Sequence, residues 1–166
     1  LCAAGLAFYL VIGLRANLRE VGWFESGVTP DIRRYLDIVT LGTIADMVPL
    51  RGTNRVLTRR GLMELGASTR PGIVALREVV GMPAGVVDAG TVAFQLGPRI
   101  NAAGRMDTAA KVVEMLTTDS SETAGEIARE LDGHNRVRRE TEVQVLDEAL
   151  VQINERQLSD QWSIVV

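Results

Sequence analysis

The chain has 166 residues, of which 46% are hydrophobic and 23% charged, with a formal net charge of −3. These values exclude an intrinsically disordered chain, which needs low hydrophobicity with high net charge, and they give no bulk polyanion-binding character. A single cysteine, Cys2 within an apolar run, excludes an internal disulfide and reads as a buried thiol in a reducing compartment, so a cytoplasmic setting is expected.

The opening "LCAAGLAFYLVIGL" is apolar for 14 residues, whereas a membrane-spanning helix needs roughly 20. It lacks the basic lead of a signal peptide, so Leu1 to Glu20 is expected to be a buried helix and no membrane association is expected. After the turn "VGWFESGVTP", the spacing of Ile32, Tyr35, Leu36, Val39 and Ile44 predicts a helix from about Pro30 to Thr40. "GTIADMVPL" then reads as a helix end running into a functional loop. Three short helices follow: Asn54 to Gly66, Gly72 to Gly81 after Pro71, and Asp88 to Leu96 with Asp88 as its cap. The first is entered through "RGTNRVLTRRG", whose Arg51, Arg55, Arg59 and Arg60 make either a solvated face or a phosphate-facing patch.

"QLGPRINAAGRM" interrupts this helical run, because Gly97 and Pro98 are helix breakers. Asp107 to Thr118 predicts another capped helix. A segment of about 36 residues starting at Ser120 or Ser121 then carries the stripe Ala124, Ile127, Leu131, His134, Arg138, Thr141, Val145 and Ala149. At 1.5 Å per residue it would span about 54 Å, more than one small domain needs, so it reads as a connector between two bodies. The final "DQWSIVV" reads as a buried strand, and a strand cannot stand alone. An apolar helix at residue 1 without an initiator methionine and an unpartnered strand at the end both suggest an internal fragment.

Asp46 is the sharpest candidate for chemistry. A carboxylate among apolar neighbours, between a glycine-led turn and a proline, is costly to bury unless paired or bound to a cation; a capping or salt-bridging aspartate is the alternative. Asp37, nine residues earlier in a helical pattern, could partner it but is expected at the surface. In "GPRINAAGR" the small residues allow close approach of another chain, and Arg99, Asn101 and Arg105 offer donors suited to phosphate. Internal pairing with acidic groups explains the same residues equally well. His134 has Arg138, not a second histidine or a carboxylate, four residues on and is expected to pack or face solvent, and Trp23 and Trp162 to pack. No P-loop, dinucleotide glycine pattern, Ser-His-Asp grouping or CxxC is present.

"LDIVTLGTIADMVPL" and "GPRINAAGRM", in that order and followed by a long charged helix with "LDGHNRVRRETE", closely resemble the RecJ-type single-strand-specific DNA exonucleases of the DHH phosphoesterase superfamily. The likeness runs from "LCAAGLAFYLV" to "WSIVV". It implies an α/β protein in which residues 1–118 are the C-terminal, mostly helical part of a DHH-type catalytic domain. Residues 119–157 would be the connector helix and 158–166 the first strand of a second, DHHA1-type domain.

The resemblance further implies 5′-to-3′ hydrolysis of single-stranded DNA in repair and recombination by two divalent ions, Mn2+ or Mg2+, with Asp46 as a catalytic metal ligand. It places Arg99, Asn101 and Arg105 against the active site or the DNA, and suggests a monomer with a single-strand-binding protein or helicase as partner. The family's aspartate-rich and DHH motifs and its second-domain glycine- and histidine-containing motif are missing from this chain. One carboxylate cannot hold two metals, so the chain alone is expected to be inactive. Nano-RNA and cyclic-dinucleotide phosphodiesterases of the same superfamily, and a non-catalytic replication scaffold, are the rival readings.

Overall fold

The computed structural model describes residues 1–24, 28–103 and 109–155. Arg105, the Asp107 cap and the expected terminal strand lie outside these residues. The described part is helical, with no strand in it. None of its helices is long and apolar enough to cross a membrane.

Helix α1, Ala3–Glu20, is capped by Cys2, whose Sγ accepts from the Gly5 amide and sits 3.4 Å from Thr43 Oγ1. Only Gly5 and Phe8 of the helix are buried, which corrects the expectation of a buried helix: Leu6, Leu10 and Leu14 are 60%, 73% and 55% exposed. An apolar composition sets a helix's affinity for other surfaces, but one neighbouring helix covers only one stripe of it.

The second expected helix begins as a 3-10 turn, Ile32–Tyr35, capped by Asp31, and continues as α2, Leu36–Ala45, past the predicted end at Thr40. It extends because Leu41 and Ile44 enter the core and Thr43 returns its hydroxyl to the Val39 carbonyl at 2.6 Å. α3, Gly52–Ala67, packs tightly on α2: a Cβ at Gly61 would overlap Thr40 Oγ1 and the Leu36 carbonyl. α4, Pro71–Val79, has its proline in the first turn, where the missing N–H costs nothing.

Asp88 caps the next segment as expected, accepting from the Thr91 amide at 2.6 Å, a bond that holds its carboxyl below the usual range. The chain then runs without a break through α5 (Ala89–Thr91), a π-helical turn (Val92–Leu96) and α6 (Gly97–Ala103). The predicted break at Gly97–Pro98 is therefore absent. The widened turn, in which the Gly97 amide donates to the Val92 carbonyl, admits a proline that would clash in a regular helix interior.

α7, Ala109–Thr117, precedes α8, Ser121–Glu155. Ser120 caps α8 by accepting from the Thr123 amide at 3.1 Å. Its buried residues are Ala124, Ile127, Ala128, Leu131 and Asn135, so the expected stripe is covered only in its first half. Arg138 is half-exposed, while Thr141 and Val145 are exposed, because the body of the protein ends before them.

The main core joins α2, α3, α4, the π-turn, α7 and the first half of α8 through Leu41, Leu65, Leu76, Leu96, Met115 and Leu131. A smaller cluster of Phe8, Ile32, Leu36 and Val39 secures α1. Asp37 is not at the surface: it is 2% exposed, accepting from Ser68 Oγ at 2.9 Å and Arg70 Nε at 3.2 Å. The two partners lie more than 30 residues downstream, which local pattern cannot register.

Candidate functional site

The site begins where α2 ends. Asp46 is the C-cap residue, its amide bonded to the Gly42 carbonyl, and Met47 follows in the left-handed region at φ 55. A non-glycine residue there carries strain on the order of 1 kcal/mol. The turn is pinned from the far side: the Pro49 carbonyl accepts from the Arg51 amide at 2.9 Å and from Asn54 Nδ2 at 3.0 Å. Asn54 is buried and had no sequence signal of its own, since its partner is a backbone carbonyl.

The pinned turn presents Asp46 to solvent, and its carboxylate makes no hydrogen bond or ion pair among the described residues. It stands at the carbonyl end of α2, the negative end of the helix dipole. A carboxylate is disfavoured there by about 0.3–1 kcal/mol, and a bound cation reverses that sign by compensating both charges. Carboxylate and carbonyl oxygens are also the ligands that hard divalent ions take.

α6 lies directly against this turn. A Cβ at Gly97 would come within 3.6 Å of the Ala45 Cβ, so the glycine allows the close approach. Asn101 is exposed and its Nδ2 reaches the Ala45 carbonyl at 3.4 Å, a long and weak bond that nonetheless sets it one residue from Asp46. Asp46 and Asn101, some 55 positions apart in sequence, are thus neighbours.

Arg99 is committed elsewhere. Its Nε donates to Asp132 Oδ1 at 2.8 Å, its Nη2 lies 2.7 Å from the same oxygen, and its Nη1 donates to the Gln95 carbonyl at 2.6 Å. The side chain is 16% exposed. Asp132 on α8 was not singled out in the sequence, because a pair 33 residues apart leaves no spacing to read. His134 is half-buried on α8, 4.0 Å from Glu130 Oε1, which Lys111 already occupies at 2.6 Å.

No family model matches the chain. Among curated proteins, the single-stranded-DNA-specific exonuclease RecJ of Dickeya dadantii is 47% identical over 153 residues, covering 90% of this chain and 27% of that protein. RecJ of Escherichia coli is 44% identical over 153 residues, covering 90% of the chain and 26% of that protein. This chain is homologous to a segment of RecJ. It spans about a quarter of the length of these curated RecJ relatives.

The fold agrees. A crystal structure of exonuclease RecJ bound to manganese superimposes with a TM-score of 0.73 at 37% identity, covering 89% of this chain and 35% of that one. RecJ from Thermus thermophilus, in complex with Mg2+, gives 0.69 at 36% identity, covering 82% of this chain and 21% of that one. Both RecJ structures thus carry divalent metal ions. Asp46, exposed at a helix carbonyl end, offers the kind of oxygen that hard divalent ions take. No group of three or more His, Cys, Asp or Glu able to hold a metal occurs among the described residues.

Proposed function

We propose that this chain is part of a divalent-metal-dependent 5′-to-3′ single-stranded-DNA exonuclease acting in repair and recombination, and that Asp46 is one of its metal ligands. The observation that carries this reading is the Asp46 carboxylate, unpaired among the described residues and fixed by a strained and pinned turn at the negative end of α2. The homology to RecJ supports the reaction class. When bound, two divalent ions about 4 Å apart activate a water and stabilise both the attacking and leaving oxygens of the phosphodiester.

The residues of this chain hold and orient. Asp46 would supply a hard oxygen ligand, and Asn54 holds the turn through its bond to the Pro49 carbonyl. Asn101, tied to the carbonyl before Asp46, contacts the strand in this reading, and the resemblance assigns Arg105 the same task. Arg99, bound to Asp132, acts by clamping α6 onto α8 so that this wall keeps its place. Residues 1–118 then belong to the catalytic domain, 119–157 to the connector and 158–166 to a second domain; the whole protein works as a cytoplasmic monomer, with a single-strand-binding protein or helicase as its partner.

A substrate comparison tests the reading. The whole protein with Mn2+ should degrade long 5′-phosphorylated single strands and leave dinucleotides as poor substrates, whereas preferential cleavage of dinucleotides would move it to another branch of the superfamily. The 166-residue chain alone should show no turnover in the same assay, since one carboxylate cannot hold two ions. Processive degradation by the chain alone would contradict the ligand count.

A further inference from the structure

Between Met47 and Arg77 the chain holds six arginines and a single acidic residue, Glu64. Three of the arginines have partners: Arg60 pairs with Glu64 at 2.7 Å, Arg70 with Asp37 at 3.2 Å, and the buried Arg77 donates to the Gly66 carbonyl at 3.1 Å. The other three, Arg51, Arg55 and Arg59, are exposed and make no ion pair or side-chain hydrogen bond among the described residues.

Their spacing is regular. They recur every four residues, from the N-cap of α3 through its first two turns, so they share one face and rise by about 6 Å per step. The row starts at the pinned turn that carries Asp46. Beside it runs a groove of about 590 Å³, where Arg55 and Arg59 border an apolar floor that includes Leu50, Leu62, Met63 and Val87. Among the described residues, no carboxylate lines this groove. The nearby Asp88 is turned to the Thr91 amide.

We infer that Arg51, Arg55 and Arg59 form a phosphate track that leads a single strand along α3 to the Asp46 turn. This rests on the exonuclease reading above. Each guanidinium presents a fork that matches a phosphate, and the apolar floor receives sugar and base edges without reading sequence. Unpaired like charges on one helix face repel one another by a few tenths of a kcal/mol per pair. A polyanion laid along the row removes that repulsion and releases counterions.

The experiment is a salt titration of binding by the whole protein in EDTA, using a fluorescent single-stranded oligonucleotide, with the three arginines changed together to glutamine. Each lost phosphate contact lowers the slope of log affinity against log salt by about 0.7, so the triple variant should lose about 2. Its deficit relative to wild type should therefore shrink by about 16-fold between 50 and 200 mM salt. A triple lysine variant should restore the slope, and Arg60→Gln on the same helix should leave it unchanged.

An unchanged slope in the glutamine variant overturns the track, and so does a loss of slope that lysine fails to rescue, which would assign the effect to packing. If the glutamine variant keeps its DNA slope but loses binding to an acidic peptide, the surface serves a protein partner and the track is wrong. A wild-type protein that binds no single strand at all would sink the exonuclease reading itself, a distinct result.

Discussion

At the scale of single residues, the two aspartates of α2 are used in opposite ways. Asp37 is buried against Arg70, whose guanidinium also donates to the Leu116 carbonyl at 3.3 Å and lies 5.7 Å from the Tyr35 ring centroid. Removing the carboxylate leaves a largely buried cation without its counter-charge. Asp37→Ala should therefore lower stability by about 3 kcal/mol, read as a shifted midpoint in urea unfolding; a midpoint near wild type would show that Arg70 finds other partners. Asp46, nine residues on, is exposed and unpaired among the described residues. The sequence distinguished it as a carboxylate among apolar neighbours, costly to bury unless paired or bound to a cation; the turn instead exposes it. Asp37 and Asp132 were not readable in that way, since Arg70 and Arg99 lie 33 residues from them and only the fold brings each pair together.

At the scale of elements, hydrophobic period and caps placed the helices well, with Asp88 and Ser120 capping where expected. The errors arose where a long-range contact overrode a local rule. Gly97 and Pro98 break helices in isolation, but the π-turn before them and the fit of Gly97 against Ala45 carry the helix through. The spacing ends the second helix at Thr40, but Leu41 and Ile44 in the next turn of α2 are core. The α2–α3 contact that fixes the Asp46 turn depends on Gly61, which lies against Thr40 and the Leu36 backbone. Gly61→Ala should cost about 1–3 kcal/mol or more, since backbone cannot yield as a flexible side chain can. It should also broaden the amide signals of the 46–51 turn in NMR spectra. A stable variant with an unaltered turn would mean that α2 and α3 can separate without consequence.

At the scale of the whole molecule, one end of a helical body carries the Asp46 turn, α6 and the arginine row, while two apolar surfaces stand open elsewhere. One is the outer stripe of α1, Leu6, Leu10 and Leu14; the other is the far half of α8, where Val143, Leu146 and Leu150 are 59%, 58% and 49% exposed. The length of α8 was legible in the sequence, but the open face of α1 was not, because apolar composition does not say which side has a neighbour. The central claim is that this body contributes one carboxylate to a metal site completed by ligands beyond the described residues. The most direct test compares the whole protein with its Asp46→Asn variant for Mn2+-dependent release of nucleotides from 5′-phosphorylated single-stranded DNA, with binding measured in parallel. The amide keeps the shape and removes the ligand charge, so turnover should fall at least about a hundredfold while DNA affinity holds. Undiminished turnover in the variant would contradict the assignment of Asp46 and the account built on it.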